Sequence, residues 1–171
     1  PDEFDLYVAK ERVLFYFNKY DELLTLLDEM LEKFPDEEKD IKIKVAYILK
    51  EKRNIEDGLK IIKNLIEQDP DNSIYYDTFG EMLMSFQDYE SAKNEFLKAI
   101  EINSEEWYTF QTHIKLGICY KELGKFKLAI ERLESGIKYA EKSKSDLETK
   151  QNWLMIADLF KAEIAELESE A

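Results

Sequence analysis

The residues that most often carry out catalysis are scarce in this chain. His113 is the only histidine and Cys119 the only cysteine. A Cys-His or Ser-His-Asp arrangement requires the imidazole beside its nucleophile. His113 and Cys119 lie six positions apart on one predicted helix, a rotation of about 600°, so their side chains point in different directions. We therefore expect neither nucleophilic catalysis nor a metal site built on this pair.

Two short patterns are similar to ligand-binding motifs but are incomplete. Asp69, Asp71 and Ser73 alternate like the first ligands of a calcium loop, but the glycine and the bidentate acid that should follow are missing. Gly124-Lys125-Phe126 lacks the preceding glycine and the Ser or Thr of a phosphate loop. We expect no cofactor, no metal ion and no enzyme activity.

The charge of the chain narrows the classes of partner. Its 38 acidic and 24 basic residues give a net charge of −14. Nucleic acids and anionic membranes both attract Lys- and Arg-rich surfaces, so neither is an expected partner. No apolar run approaches the ~18 residues of a membrane span, and we expect a cytoplasmic location. The chain begins with Pro1 rather than Met, which we interpret as a piece cut from a longer protein.

The predicted elements are helices, and their pattern repeats. Six residues recur 37 positions later as residues of similar type, and a period of that size marks stacked supersecondary units. The first set is Gly80, Leu83, Tyr89, Ala92, Phe96 and Ala99, and the second is Gly117, Tyr120, Phe126, Ala129, Leu133 and Gly136. The pattern resembles the tetratricopeptide repeat, a helix-turn-helix unit whose small residues let two antiparallel helices approach closely.

The resemblance implies an all-α fold: a right-handed superhelical solenoid of about four repeats and a C-terminal capping helix. It predicts a single domain over residues 1–171. The repeats are expected at about 4–37, 39–72, 73–106 and 107–143, and the capping helix at 146–169.

Helix ends and one weak repeat can also be predicted. Asp2 is expected to cap the first helix, and residues 104–107 to add a helical turn before the fourth pair. Ser145 and Glu148 have the spacing of a capping box at the start of the last helix. The first repeat is degenerate, because Lys10-Glu11 stand where Phe79-Gly80 stand in the third.

In this family the first helix of each pair lines a concave surface. Aligned on the small residue of each repeat, that frame gives nine candidate partner-binding residues: Tyr47, Ile74, Asp77, Glu81, Met84, Ile114, Ile118, Lys121 and Leu154. It also places Arg12, Phe15, Tyr16 and Ile43 on this surface. We expect an apolar floor for a helix or an extended peptide, with Asp77 and Glu81 pairing with a Lys or Arg of the partner. The alternative is that some of these apolar residues pack against neighbouring helices.

Two functions are consistent with this pattern. The first is a non-catalytic protein–protein interaction module, or scaffold, that binds a peptide in its groove. The second is a structural spacer or self-assembly segment of a larger protein. One variant of the repeat grips a C-terminal carboxylate with several basic and amide side chains. It is disfavoured here because only Arg12 is basic at the aligned positions.

Overall fold

The computed structural model of the chain describes residues 3–103 and 109–169. Their regular structure is helical, as the sequence predicts, and a short 3-10 turn at Pro35–Glu37 precedes the third helix. The expected cap at Asp2 and the expected extra turn at 104–107 lie outside the described residues. The helices are α1 (Glu3–Tyr16), α2 (Tyr20–Lys33), α3 (Glu38–Glu51), α4 (Ile55–Gln68), α5 (Ser73–Ser85), α6 (Tyr89–Ile102), α7 (Thr109–Glu122), α8 (Phe126–Lys142) and α9 (Leu147–Ser169).

The same tight turn joins the two helices of each pair. The second of its three residues is left-handed, with φ between 55° and 70° at Asn18, Arg53, Gln87 and Gly124. The next amide donates back into the last turn of the preceding helix, as Lys125 N does to Tyr120 O at 2.8 Å. This is the Schellman arrangement that ends a helix. The degenerate first pair has the same turn, so its helix-turn-helix form survives the loss of the sequence pattern.

The chain forms two compact units, one up to Pro70 and one from Asp71. That both belong to one domain stays a prediction. In the first unit, α1 packs on α2, α2 on α3, and α3 on α4. The rings of Phe4 and Tyr7 meet Phe34 edge-on at centroid distances of 5.1 and 5.5 Å. The centre of this unit is built from buried aliphatic side chains: Leu14, Leu23, Leu26, Leu27, Met30, Ile41 and Ile48.

In the second unit, glycines set how closely the paired helices approach. A Cβ atom at Gly80 would stand 2.6 Å from Cε1 of Phe96, and one at Gly136 would stand 2.5 Å from Cγ1 of Ile114. These distances are far below van der Waals contact, so only glycine fits without a shift. The close helix approach expected from the repeat is therefore confirmed. The last helix, α9, packs on both helices of the fourth pair, α7 and α8.

The last helix begins differently from the expectation. The amide and the hydroxyl of Thr149 donate to the Asp146 carboxylate at 2.8 and 2.7 Å, so Asp146 caps α9. These hydrogen bonds lower the pKa of Asp146. The capping box predicted at Ser145 is wrong, because the Ser145 amide instead donates to Oγ of Ser143 at 3.0 Å.

Candidate functional site

An open apolar pocket of about 690 Å³ lies on the first unit. Phe15 and Tyr16 of α1 form one wall, and Ile43 and Tyr47 of α3 form the other. The floor consists of buried aliphatic side chains from α2 and α3, namely Leu23, Leu27 and Ile48. Pockets of this volume, mostly apolar with a few polar groups, are typical binding sites.

The walls present large apolar side chains that the fold leaves open to solvent. Phe15 is 42% exposed and Tyr16 is 79% exposed. Ile43 and Tyr47 lie on one face of α3 because they are four positions apart. The centroid of the Phe15 ring lies 6.2 Å from the centroid of the Tyr20 ring and 6.4 Å from that of the Tyr47 ring, and both pairs of rings are tilted. Rings that pack on one another hold the pocket walls in place.

Three charged residues line this pocket, and they are not equivalent. Glu11 Oε2 of α1 is 2.6 Å from Lys44 Nζ of α3, so these two charges are paired. Arg12 is exposed, and no described residue forms a hydrogen bond or ion pair with it. Nearby, the Lys50 ammonium lies 4.1 Å from the Tyr47 ring centroid. The pocket therefore carries one unpaired positive charge in a chain of net charge −14.

A buried ion cluster joins α5 to α7 in the second unit. The side chain of Lys115 is 5% exposed, and its Nζ is 2.7 Å from Asp77 Oδ2 and also pairs with Glu81. Thr112 Oγ1 donates to Asp77 Oδ1 at 2.7 Å. The Phe96 ring and the Trp153 ring lie 5.9 and 5.6 Å from the ammonium.

The cluster holds Lys115 charged. Burial by itself would lower the pKa of Lys115, but the charges of Asp77 and Glu81 outweigh it and raise the pKa above its ordinary value. Asp77 and Glu81 were expected to meet a Lys or Arg of a partner, and Lys115 of the same chain occupies that place. This part of the surface is therefore less negative than the sequence indicates.

The other predicted surface residues are dispersed in the second unit. The prediction that Ile114 lies at the surface is wrong. Ile114 is fully buried, because Gly136 lets α8 pack closely over it. Lys121 pairs with Glu163 at 2.6 Å. Met84, Ile118 and Leu154 are half-buried against the core, and Ile74 is exposed. Of the nine candidates, Tyr47 alone lines the pocket of the first unit, and for the remaining exposed positions a binding role stays a prediction.

One face of α9 is apolar and open. Leu147, Met155 and Leu159 are 69%, 57% and 63% exposed. Met155, Leu159 and Ala162 share the side of α9 that lies away from the buried Ala157 and Ile164. A shallow depression of about 460 Å³ lies here, and Gln151 and Asp158 line it together with the apolar side chains.

The two residues considered for nucleophilic chemistry are both buried in α7. Burial, with the nearby positive charge of Arg132, lowers the pKa of His113 to about 4. Burial, with the nearby Glu122 carboxylate, raises the pKa of the Cys119 thiol to about 12. His113 is stacked on Tyr139 at 5.0 Å. At neutral pH Cys119 is therefore a thiol rather than the thiolate that nucleophilic attack uses, and His113 is an uncharged imidazole.

Two features of other classes of site are absent from residues 3–103 and 109–169. No three His, Cys, Asp or Glu side chains come together as metal ligands there. Within the same ranges, no helix combines the length and the apolar character needed to cross a bilayer.

The comparison with known families agrees with the helix-turn-helix pattern. Residues 74–106, the third helix pair, match the family model for the tetratricopeptide repeat. The third helix pair is therefore a tetratricopeptide repeat. Over 74 residues it is 38% identical to response regulator aspartate phosphatase I of Bacillus subtilis, a match that covers 42% of this chain and 19% of that protein. The chain thus spans about a fifth of the length of this curated relative.

Solved structures extend the likeness in fold over more of the chain. PilF of Pseudomonas aeruginosa superposes with a TM-score of 0.76 at 17% identity, over 97% of this chain and 69% of that one. A T3SS complex from Aeromonas hydrophila superposes with a TM-score of 0.68 at 11% identity, over 83% and 90%. At such identities the likeness concerns the fold, which is that of an all-α repeat protein.

Sequence reasoning identified part of the site and missed another part. The repeat frame placed Arg12, Phe15, Tyr16 and Ile43 beside Tyr47, and the pocket brings these five residues together. Lys115 was missed. The available indication was its position on α7 two residues before Gly117, within a stretch predicted to pack closely on α8.

Proposed function

We propose that this tetratricopeptide repeat protein is a non-catalytic interaction module that binds a segment of another protein in the pocket of its first unit. One observation carries the proposal: Phe15, Tyr16, Ile43 and Tyr47 form an open apolar pocket over a buried aliphatic floor. Exposed aromatic side chains gathered around a cavity are typical of binding surfaces.

The shape of the pocket favours a peptide as its occupant. It lies between two helices and is open to solvent, so a chain can lie across it while one or two apolar side chains enter. Helix-in-groove and extended-peptide recognition both use anchors of this kind. The T3SS complex with a similar fold supports a protein as the partner class.

Peptide display tests this proposal. A phage library of random peptides is selected on the whole chain, and the affinity of synthetic copies is measured for two variants. Phe15→Ala removes a pocket wall and is expected to weaken binding roughly tenfold, as for loss of one buried aromatic anchor contact. Phe86→Ala is the matched control, because Phe86 is 47% exposed and lies directly after α5 in the second unit; it is expected to change the affinity less than about twofold.

The outcome that rejects the proposal is specific. In one case the selected peptides bind the Phe15→Ala variant as tightly as the unchanged chain, and in the other the selection yields no binding peptide. Either result would mean that the pocket is not a peptide-binding surface.

Self-association is the second candidate, and the open apolar face of α9 favours it. Two copies could cover Leu147, Met155 and Leu159 by packing α9 against α9. Sedimentation velocity across a wide concentration range is then expected to show a reversible dimer that Met155→Lys with Leu159→Lys abolishes. Leu6→Lys is the control, since Leu6 of α1 is 58% exposed and distant in sequence. A chain that stays monomeric at every concentration rejects this candidate.

A further inference from the structure

The charges at the pocket of the first unit are unequal, and this bears on the partner's chemistry. Glu11 and Lys44 neutralise one another at 2.6 Å. Arg12, on the same helix, is exposed and has no hydrogen-bond or ion-pair partner among the described residues. A guanidinium beside an aromatic pocket is a site for a planar anion, because it offers a fork of N–H donors that matches a carboxylate.

We infer that the segment bound in this pocket carries an Asp or Glu side chain next to its apolar anchor, and that Arg12 selects it. The inference rests on the proposed function and adds the charge of the partner to it. It differs from the sequence expectation, which placed basic residues in the partner. That expectation depended on Asp77 and Glu81, which both pair with Lys115 of the same chain.

The backbone around the pocket favours a side-chain carboxylate over a chain terminus. Capture of a terminal carboxylate commonly uses several backbone N–H groups gathered in a nest. Here the pocket walls are helices, and their backbone N–H groups donate hydrogen bonds to carbonyl groups of the same helix. At the turn beside the pocket, the Asn18 amide donates to Phe15 O and the Lys19 amide to Leu14 O, both at 2.9 Å. A single unpaired arginine is matched to a single side-chain carboxylate.

Peptide display with a charge reversal tests the inference. A random library fused to the coat protein at its C-terminus presents no free terminal carboxylate. Selection on the unchanged chain is expected to enrich Asp or Glu within a few positions of an aromatic or aliphatic anchor. Selection on Arg12→Glu is expected to enrich Lys or Arg at the same place. Arg53→Gln is the control, since Arg53 is exposed in the same unit but outside the pocket, and Gln87 already stands at the equivalent turn position.

Synthetic probe peptides give the size of the effect. Replacing the selected Asp by Asn is expected to weaken binding to the unchanged chain roughly two- to fivefold at low salt, the range of an exposed ion pair. The same replacement is expected to have no effect on binding to Arg12→Gln. Amidation of the peptide C-terminus is expected to leave the affinity unchanged, and a tenfold loss would contradict the assignment to a side chain.

The outcomes separate this inference from the proposed function. The inference is overturned if the selected peptides need Phe15 for binding but are not enriched in Asp or Glu. It is also overturned if selection on Arg12→Glu still enriches Asp or Glu. In both cases the pocket remains a binding site. If no selected peptide depends on Phe15, both are overturned.

Discussion

Removing the two negative charges around Lys115 is expected to destabilise the second unit by roughly 3–5 kcal/mol, the usual cost of leaving a buried charge uncompensated. The changes are Asp77→Asn and Glu81→Gln, which keep the shape of both side chains. The Lys115 side chain is 5% exposed, so water cannot replace the lost carboxylates without opening the contact between α5 and α7. Urea unfolding followed by circular dichroism measures the effect.

The control for this variant is the same double change combined with Lys115→Met. Methionine fills much of the lysine volume and carries no charge, and replacing a buried ion pair by apolar groups is often neutral. The triple variant is therefore expected to recover most of the lost stability. If the double variant is as stable as the unchanged chain, the cluster contributes nothing, and α5 and α7 are held together by apolar packing alone.

Adding one methyl group at Gly80 is expected to destabilise the third helix pair by about 1–3 kcal/mol. The new Cβ would meet three atoms of the Phe96 ring at 2.6, 2.8 and 2.9 Å, and Phe96 is fully buried, so the ring has little room to move. Alanine gains up to about 1 kcal/mol over glycine within a helix, which reduces the loss without reversing it. The measurement is the urea midpoint of Gly80→Ala.

A double-mutant cycle locates the cause of that loss. Phe96→Leu removes the ring that the new methyl group would meet, so Gly80→Ala is expected to cost less in the Phe96→Leu background than alone. Equal costs in both backgrounds would show that the penalty does not arise from the contact between α5 and α6.

The helices and their pairing could be predicted from the sequence because local chemistry determines them. Gly80 and Ala92 mark where α5 and α6 approach, and Gly124 marks the turn between α7 and α8. The first repeat shows the limit of this reasoning: it has Glu11 in place of the small residue and still keeps the left-handed turn, at Asn18, that the other pairs have.

Burial within α7 could not be predicted from one repeat. The repeat frame treats the residue three positions before Gly117 as a surface residue. However, α7 contacts α5, α6, α8 and α9, so Ile114 is enclosed. Lys115 was missed for the same reason, since a lysine on a helix is ordinarily solvated and its burial depends on acids of another repeat. The pocket combines wall residues that the repeat frame places on one surface with a floor of buried α2 leucines, and the floor follows only from the packing of the helices.

Nuclear magnetic resonance of the methyl groups tests the proposed binding surface most directly. The labelled chain is titrated with the tightest peptide from display. The account predicts that the largest shifts occur at the methyl groups of Leu23, Leu27, Ile43 and Ile48, which line the pocket of the first unit. Shifts concentrated at Ile74 and Met84, or at Met155 and Leu159, with the pocket methyl groups unchanged, would contradict it.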